Sequence, residues 1–597
     1  MSKMTLVDQL KSNDSSLTSL SFADKRFNQQ KEFADALKSN TTLTRLSICK
    51  KTLTKEFCKA FADALKINTT LKSLDFAFNY HYQTASVKAI AGALETNTTL
   101  TELNFQNNVL ETAGGVAVAG TLERNTTLLT LDLSGNYLKR FGGVPIARAM
   151  LSNTTLTKLT IRENFLEKSP GLAFAQVLEI NTTLTTLDLA DNRLGQDVGI
   201  AVAKAMERNT TITSLDVRHN YLGETAGRAF ATMLERNSTL TTLNIENNQI
   251  GENVTLVIAN TGLIHNNTIS TLGIRLNYPG DDVTVHIFRS LFSMRNTTLT
   301  TLNLENSRLG KNAGILLARQ LWTNTTLTEL NLGFNTLGEN GENGSVAVLE
   351  AVLRNTTLTS LNLAHNHLGQ NSTKALATLI LKNTTLMKLD LSHNNMYQVG
   401  RTVHWFPSLD KNTTLTSLNL AYTGLNVLNS VTGVYKYRNF NRLNMITIIA
   451  YVLSSDTLRL KTLNLEGNRL GEGFGIALAG RLAKNTVLTS LNLKSNNLES
   501  RSFLGETAGE ALLRMMETNS TLLTLNLEDN NLGQFVLAEV ACTIRRNKRN
   551  RLHMKLLKNR IEKIGDDRES IGDLHILPRD ILDRITHAER ALQLLLA

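Results

Sequence analysis

The tetrapeptide Asn-Thr-Thr-Leu recurs along almost the whole chain. It occurs eleven times without change, most often at an interval of 28 residues. The unchanged copies begin at Asn40, Asn68, Asn97, Asn125, Asn153, Asn181, Asn296, Asn324, Asn355, Asn383 and Asn412. Such a period is typical of an array in which each unit packs only against its neighbours. We therefore expect the 597 residues to form one long repeat array rather than several globular domains.

Each unit combines a strand pattern with a helix pattern. After Asn181, the segment TTLTTLDLADNRL alternates apolar and polar residues, and the segment GQDVGIAVAKAMER has small and apolar residues at helical spacing. One unit cannot bury its leucines alone, so neighbouring units must stack. This predicts a curved α/β solenoid with a parallel sheet on the concave face and helices on the convex face.

Three residue types have predicted structural roles in every unit. An Asn after the strand can satisfy backbone groups and build a ladder, as at Asn136, Asn164, Asn192, Asn220 and Asn248. The first Asn of the tetrapeptide is expected to end the helix in the left-handed conformation. A Gly after the ladder Asn is expected to turn the chain into the helix, at Gly195, Gly223, Gly251 and Gly310.

The pattern L-x-x-L-x-L-x-x-N-x-L with this period resembles the leucine-rich repeat family, ribonuclease-inhibitor subclass. The resemblance covers residues 13–561 and implies a horseshoe of about nineteen strands, from Leu20–Phe22 to Met554–Leu556. The ladder Asn is replaced at Lys25, Lys51, Ser307 and Thr423. Residues 1–12 are expected to cap the array, residues 424–452 to form an insertion, and residues 562–597 to form a C-terminal tail.

Composition and missing motifs narrow the function. Phosphate-loop, metalloprotease and hydrolase signatures do not occur, so we expect no enzyme, cofactor or metal. The 63 basic and 52 acidic side chains give a net charge of +11, and there are only three cysteines and no membrane-spanning apolar stretch. The expected location is the cytoplasm, including delivery into a host cytosol by a specialised secretion system. Nucleic acid is not expected as the partner.

The strand residues that face the concave side are mostly short and polar, as expected for a solvated surface. They are Asp132, Asp188, Asp216, Asn244, Asn303, Asn331, Asn362, Asp390, Asn419, Asn464, Asn492 and Asn526. Six longer side chains interrupt this face and are candidate anchors for a protein partner, because Arg and aromatic residues are enriched at interface hot spots. They are Phe78, Arg162, Arg218, Arg275, Phe334 and Tyr422.

His365 and His393 occupy equivalent positions in consecutive units, so stacking should bring them about 5 Å apart. A metal site, a pH-sensitive pair and two merely exposed side chains are the open interpretations, and the last is favoured because no third ligand is evident.

The insertion contains interleaved aromatic and basic residues, Tyr435, Tyr437, Arg438 and Phe440. They are candidates for stacking on an acidic or nucleic-acid partner, or for packing the loop onto the rim.

The C-terminal region has two unusual segments. Eight of the sixteen residues from Arg545 to Arg560 are basic, which suits either a polar cap on the last repeat or a nuclear-import or nucleic-acid patch. The tail then resembles the opening of an F-box, a ubiquitin-ligase adaptor module, although it has fewer residues than that module. The tail candidates are Leu577, Pro578, Ile581, Leu582 and Ile585. A helix that caps the array is the favoured alternative.

These observations predict a non-enzymatic scaffold that binds a protein partner through its concave face and rim loops. Two alternatives remain from what the resemblance implies: an effector that acts as substrate adaptor in a host ubiquitin-ligase pathway, and a regulator that activates a small GTPase.

Overall fold

The computed structural model describes most of the chain. The described ranges are 5–22, 27, 29–79, 84–263, 266–275, 298–339, 341, 343–394, 406–425, 458–498 and 507–566. Within them the chain forms a curved α/β solenoid in which strands and helices alternate.

Eighteen three-residue strands lie within the described ranges. They are β1 Ser19–Ser21, β2 Arg45–Ser47, β3 Ser73–Asp75, β4 Glu102–Asn104, β5 Thr130–Asp132, β6 Lys158–Thr160, β7 Thr186–Asp188, β8 Ser214–Asp216, β9 Thr242–Asn244, β10 Thr271–Gly273, β11 Thr301–Asn303, β12 Glu329–Asn331, β13 Ser360–Asn362, β14 Lys388–Asp390, β15 Ser417–Asn419, β16 Thr462–Asn464, β17 Ser490–Asn492 and β18 Thr524–Asn526. Each strand pairs in parallel with the next in chain order, as Leu187 pairs with Leu215. The pairing continues across the long insertion, because Leu418 pairs with Leu463.

The helices pack side by side on the other face of the sheet. They are α1 Leu6–Lys11, α2 Gln30–Leu37, α3 Lys55–Ile67, α4 Thr84–Leu94, α5 Glu111–Arg124, α6 Lys139–Ser152, α7 Lys168–Ile180, α8 Gln196–Met206, α9 Gly223–Arg236, α10 Glu252–Val257, α11 Lys311–Leu321, α12 Asn343–Arg354, α13 Gln370–Lys382, α14 Phe406–Leu409, α15 Glu472–Leu482, α16 Ala508–Thr518 and α17 Gln534–Asp566, with a π-helix at Ile258–Leu263. Leucines of the strands and apolar residues of the helices form one continuous core between the two layers.

The predicted asparagine ladder is confirmed. The Asn164 side chain is fully buried. Its Nδ2 donates to the carbonyls of Leu133 at 2.8 Å and Ile161 at 3.1 Å, and its Oδ1 accepts the Asn136 backbone N–H at 3.0 Å. One amide therefore joins two repeats and satisfies backbone groups that the short strands leave unpaired.

The predicted left-handed conformation of the tetrapeptide Asn was wrong. Asn125 has φ −72° and ψ 128°, which is extended backbone. Its Nδ2 donates to the Leu94 carbonyl at 2.6 Å, and its Oδ1 accepts the backbone N–H of Leu128 at 2.7 Å. The side chain thus ties the end of α4 to the segment that leads into β5, one repeat further on, and the extended backbone lets it reach both.

Left-handed residues lie instead on either side of the ladder Asn. Asp191 and Arg193, which flank Asn192, both have φ 57°. This turn directs two backbone N–H groups of each repeat at the Asn of the following repeat. The predicted Gly turns are confirmed at Gly195, Gly223 and Gly251, with φ of 77°, 73° and 84°. Gly310 also leads directly into a helix, α11, but with an extended backbone, because its φ is −100°.

The last predicted strand, Met554–Leu556, was also wrong. This segment lies inside α17, which runs without a break for 33 residues. It contains no proline, and the Lys, Arg and Leu residues that dominate it are good helix formers. No helix in the described part of the chain is both long and apolar enough to cross a lipid bilayer.

Candidate protein interface

Three parallel rows of side chains cover the concave face. The strand-end row holds the last residue of each strand, the exit row holds the second residue after it, and the turn row holds the third, immediately before the ladder position. Because each strand pairs in exact register with the next, residues of one row lie about 5 Å apart from repeat to repeat. Among the stretches of these rows that depart from short polar side chains, two bring predicted anchors together.

The first stretch is a cavity of about 740 Å³ that runs from Arg162 past Arg218 to Arg275. We call it the charged basin. Its charged lining residues are Arg162, Glu163, Asp191, Asp216, Arg218, Glu246 and Arg275. We include in the basin Asp188, which is paired with Asp216, and Glu305, which forms an ion pair with Arg275. Three of the predicted anchors, which the sequence places two repeats apart, therefore belong to one site.

Ion pairs organise the far end of the basin. Arg275 Nη1 lies 2.8 Å from Glu305 Oε1, and Arg275 Nε lies 3.1 Å from Glu246 Oε2. Asn303 Nδ2 donates to Glu246 Oε1 at 2.6 Å, although the two residues are two repeats apart. Gly273 makes this possible, because a Cβ there would lie 2.7 Å from Glu246 Oε1. The missing side chain lets Glu246 lie flat on the sheet, where it is only 6% exposed.

The near end of the basin contains adjacent carboxyl groups. Asp188 and Asp216 are paired in register on neighbouring strands. Burial raises the pKa of Asp188, and burial together with the charge of Asp188 raises the pKa of Asp216 to about 7. Burial also raises the pKa of Glu246, against the opposing effect of Arg275. The basin thus contains carboxyl groups whose charged form is disfavoured mainly by burial, against the opposing effect of its arginines.

The second stretch consists of four stacked rings on the turn row, Phe334, His365, His393 and Tyr422. We call it the ring column. Consecutive ring centroids are 4.2, 4.1 and 4.6 Å apart, and the planes deviate from parallel by 18°, 13° and 16°. The predicted proximity of the two histidines is confirmed, and two predicted anchors, Phe334 and Tyr422, form the ends of the column.

Local backbone geometry holds each ring in place. The N–H of His365 donates to the Ser392 carbonyl at 3.0 Å, and that of His393 donates to the Ala421 carbonyl at 2.8 Å. At one end, Tyr422 packs flat on Gly467, where a Cβ would lie 2.2 Å from the ring, and its hydroxyl donates to Glu466 at 3.2 Å. Beside the rings the exit row holds only small residues: Gly333, Ala364, Ser392 and Ala421. The four rings therefore project above the small side chains of the neighbouring exit row.

Two family models match the chain. The TMOD/LMOD leucine-rich domain matches residues 4–117. The leucine-rich repeat model matches residues 124–146, 181–203, 208–231, 236–253, 323–341, 354–377, 382–399 and 484–501. The chain is a leucine-rich repeat protein.

Many solved structures show a likeness to this leucine-rich repeat protein, and one of them serves as an example. It is the crystal structure of the Rad7 and Elc1 complex from yeast, with a TM-score of 0.40 and 17% sequence identity. The match covers 61% of this chain and 88% of that chain. Comparison with curated proteins found no match. The partner of the leucine-rich repeat protein therefore has to be inferred from its own residues.

Of the remaining sequence candidates, only Phe78 lies in the described part of the chain. Phe78 lies on the turn row near the start of the array, with Lys50 Nζ 5.5 Å from its ring. The insertion candidates Tyr435, Tyr437, Arg438 and Phe440 lie outside the described residues. The tail candidates Leu577, Pro578, Ile581, Leu582 and Ile585 do as well.

Sequence reasoning missed a group of rim residues beside the charged basin. Tyr137 and Phe165 stack at 5.8 Å, and the Arg193 guanidinium lies 4.6 Å from the Phe165 ring centroid. Tyr221 follows at the equivalent position and is 59% exposed. All four directly follow a ladder Asn at intervals of 28 residues. Aligning the repeats by that Asn would have revealed them.

Proposed function

We propose that this leucine-rich repeat protein is a non-enzymatic scaffold that binds a protein partner through its concave face, with contacts at the charged basin and the ring column. The repeat family supports a role in protein interaction. The observation that carries the proposal is the convergence of Arg162, Arg218 and Arg275 into one cavity with buried carboxylates. Arg and aromatic side chains held rigidly in a concave surface are the usual hot spots of protein interfaces.

The charges of the basin indicate the chemistry of the partner. Four carboxylates and three arginines line the cavity, and the carboxylates of Asp188 and Glu305 lie beside it, although the whole chain has a net charge of +11. The basin is therefore an acidic region in a basic protein, and a segment with Lys or Arg is the complementary ligand. Burial and, after it, the charge of Asp188 raise the pKa of Asp216, and a cation placed beside the two carboxyl groups would oppose both effects.

The ring column supplies a different kind of contact. Phe334 is 48% exposed and Tyr422 is 43% exposed. Stacking fixes both rings, so little side-chain entropy is lost when a partner covers them. We therefore assign to the column the apolar part of the interface and to the basin the electrostatic part.

The basin is tested by affinity capture with the full-length protein. Asp188→Asn/Asp216→Asn preserves side-chain shape but removes charge, and we expect it to weaken partner binding at least tenfold and to reduce its salt dependence. The matched control is Asp35→Asn/Asp63→Asn, on the exposed faces of α2 and α3, where each Asp pairs with a lysine. If both double variants bind like the unmodified protein, the basin is not the interface.

The column is tested with Phe334→Ala/Tyr422→Ala. We expect at least tenfold weaker binding at pH 7.5, because two aromatic anchors are lost. Trp322→Ala is the control, since Trp322 is 54% exposed on the helical side, where Arg354 stacks on it. Equal losses in the double variant and the control would contradict a specific role for the column.

The ubiquitin-ligase adaptor alternative depends on the tail. Leu577→Ala/Ile581→Ala/Ile585→Ala in the full chain should remove ligase subunits from the captured proteins while leaving concave-face partners bound. A cytosolic location is proposed with either function. Identical captured proteins with and without the three substitutions would eliminate the adaptor alternative.

A further inference from the structure

The two histidines in the middle of the ring column have no task in the proposed interface. Their ring nitrogens make no hydrogen bond with any other group in the described part of the chain. Both ring faces of each histidine are covered, by Phe334 and His393 for His365, and by His365 and Tyr422 for His393. Only the ring edges, which bear the nitrogens, remain open.

The stacking geometry argues against a shared metal ion. A metal lies in the plane of an imidazole ligand, about 2.0–2.1 Å from the nitrogen. The two ring planes are within 13° of parallel and their centroids are 4.1 Å apart, so one ion cannot lie in both planes at that distance. The described residues also contain no group of three His, Cys, Asp or Glu side chains suited to a metal. Proton binding is the chemistry that remains for this pair.

The column can accept one proton more easily than two. A single imidazolium between ring faces is stabilised by the neighbouring π systems. A second charge would lie directly opposite the first, where like charges repel strongly. Burial lowers the pKa of His365, and His393 and His367 act in the same direction.

Few other charges face the column. Asp390 on β14 favours a charged His365, but its carboxylate already accepts Ser392 N–H and Oγ and Asn419 Nδ2. His367 lies 3.7 Å from Glu339, which precedes α12. At the other end, Glu466, Lys494 and Asp529 act on Tyr422. This set leaves the mutual repulsion of the imidazoles as the main like-charge interaction within the stack.

We propose that the ring column is a proton-operated part of the interface: it stays stacked while at most one imidazole is charged, and it separates when both are. Its effect on partner binding rests on the proposed function, whereas the separation itself is a property of the free protein. Because the pKa of His365 is lowered from its ordinary value of 6.5, the stability that the stack contributes is present above pH 6.5. It is lost as the pH falls through the lowered value.

The test is a titration of the full-length protein, with ¹³C-labelled histidine rings followed by NMR from pH 8 to pH 5. We expect His365 and His393 to shift in two separate steps, with amide exchange at both residues, taken relative to the intrinsic rate at each pH, accelerating about tenfold across the second. His219 is an internal control at the same turn-row position, because it faces Asn247 at 2.8 Å and Asp191 at 3.6 Å rather than an imidazole. His393→Phe keeps an aromatic ring in the stack and should give His365 a single step without faster exchange.

Either of two results would overturn the proposal: one common step for both histidines, or two steps with unchanged amide exchange. Partner capture at pH 7.5 and pH 5.5 then separates this inference from the proposed function. If Phe334→Ala/Tyr422→Ala binds normally at pH 7.5, the column is not part of the interface, although the titration result can still stand. If the double variant loses binding but the histidines titrate together, the interface stands and the proton-operated device does not.

Discussion

The charged basin and the ring column are built on the same backbone but differ in nearly every side chain that they expose. In both, the strands pair in exact register and the turn row adopts left-handed φ, as at His219 and His365. In the basin the exit row carries Arg218, Glu246, Arg275 and Glu305, which reach across repeats. Beside the column it carries only small residues, and the turn row provides the rings. The difference shows that the repeat fixes where each side chain of a row lies. Which residues occupy the exit row and the turn row then decides whether a region presents charged or apolar side chains to a partner.

The two regions also respond to pH in opposite directions. The raised pKa of Asp216 means that the folded basin binds a proton more tightly than the unfolded chain does. The lowered pKa of His365 means that the folded column binds one less tightly. Acidification from neutral pH should therefore stabilise the basin and destabilise the column.

The largest expected effect concerns the ladder beneath the two regions. Under the basin, Asn220 accepts two backbone N–H groups, from Asn192 at 2.9 Å and Leu194 at 3.3 Å, and donates to three carbonyls. Under the column, the buried Oδ1 of Asn366 has no hydrogen-bond partner. We expect Asn220→Ala to cost about 3 kcal/mol of unfolding free energy and Asn366→Ala about 2 kcal/mol. Urea unfolding followed by circular dichroism would measure both free energies. Equal losses for the two variants would contradict the view that Asn220 forms more hydrogen bonds than Asn366.

The next effect compares the interactions that are specific to each region. Arg275→Ala should cost about 2 kcal/mol, because it leaves the buried Glu246 carboxylate without its cation. Phe334→Ala should cost about 1 kcal/mol, the usual contribution of one stacked ring at a partly exposed site. Adding Glu246→Gln should recover most of the loss in the basin. A double variant as unstable as the sum of the two single variants would show that the ion pair is not the cause.

A pH profile separates the regions more finely. Because the pKa of Asp216 rises from 3.8 to about 7, its contribution to stability is complete below pH 3.8 and is lost as the pH rises through about 7. Between pH 8 and pH 6 we expect the unmodified protein to gain about 1 kcal/mol relative to Asp216→Asn. The readout is the urea midpoint at each pH. If the urea midpoints of the two proteins changed with pH in the same way, the proton would bind at a residue other than Asp216.

The smallest expected effect concerns the contact between Tyr422, the last ring of the column, and Gly467. Gly467 and Gly135 both occupy the turn row, with φ of 68° and 66°, so substitution by Ala strains the backbone equally. At Gly467 the new Cβ would collide with the Tyr422 ring, whereas at Gly135 it would meet the Asn107 side chain, which can rotate away. We expect Gly467→Ala to be about 0.5–1 kcal/mol worse than Gly135→Ala and to change the tyrosine fluorescence. No difference between the two variants would mean that Tyr422 is not held against the backbone.

The period alone predicted much of the fold because every unit has to bury the same apolar residues against its neighbours. The ladder, the parallel register and the contact between His365 and His393 all follow from stacking identical units. The basin was not predicted as a site, since it depends on Glu246 crossing the gap at Gly273 to reach Asn303 two repeats later. The strand prediction at Met554–Leu556 was wrong because the apolar residues there match the spacing of the strand motif, although the segment consists mostly of strong helix formers.

The turn row is a set of positions at which side chains can change during evolution without a change in the fold. Its described members are Lys50, Phe78, Asn107, Gly135, Glu163, Asp191, His219, Asn247, Asn306, Phe334, His365, His393, Tyr422, Gly467, Ser495 and Asp529, and all have left-handed φ. At the positions of this row that are not glycine, a side chain is already accommodated at left-handed φ, so exchanging one such side chain for another leaves the backbone of the repeat unchanged. Natural drift or a designed library confined to the positions of this row that are not glycine would therefore alter ligand preference one repeat at a time while the architecture is kept.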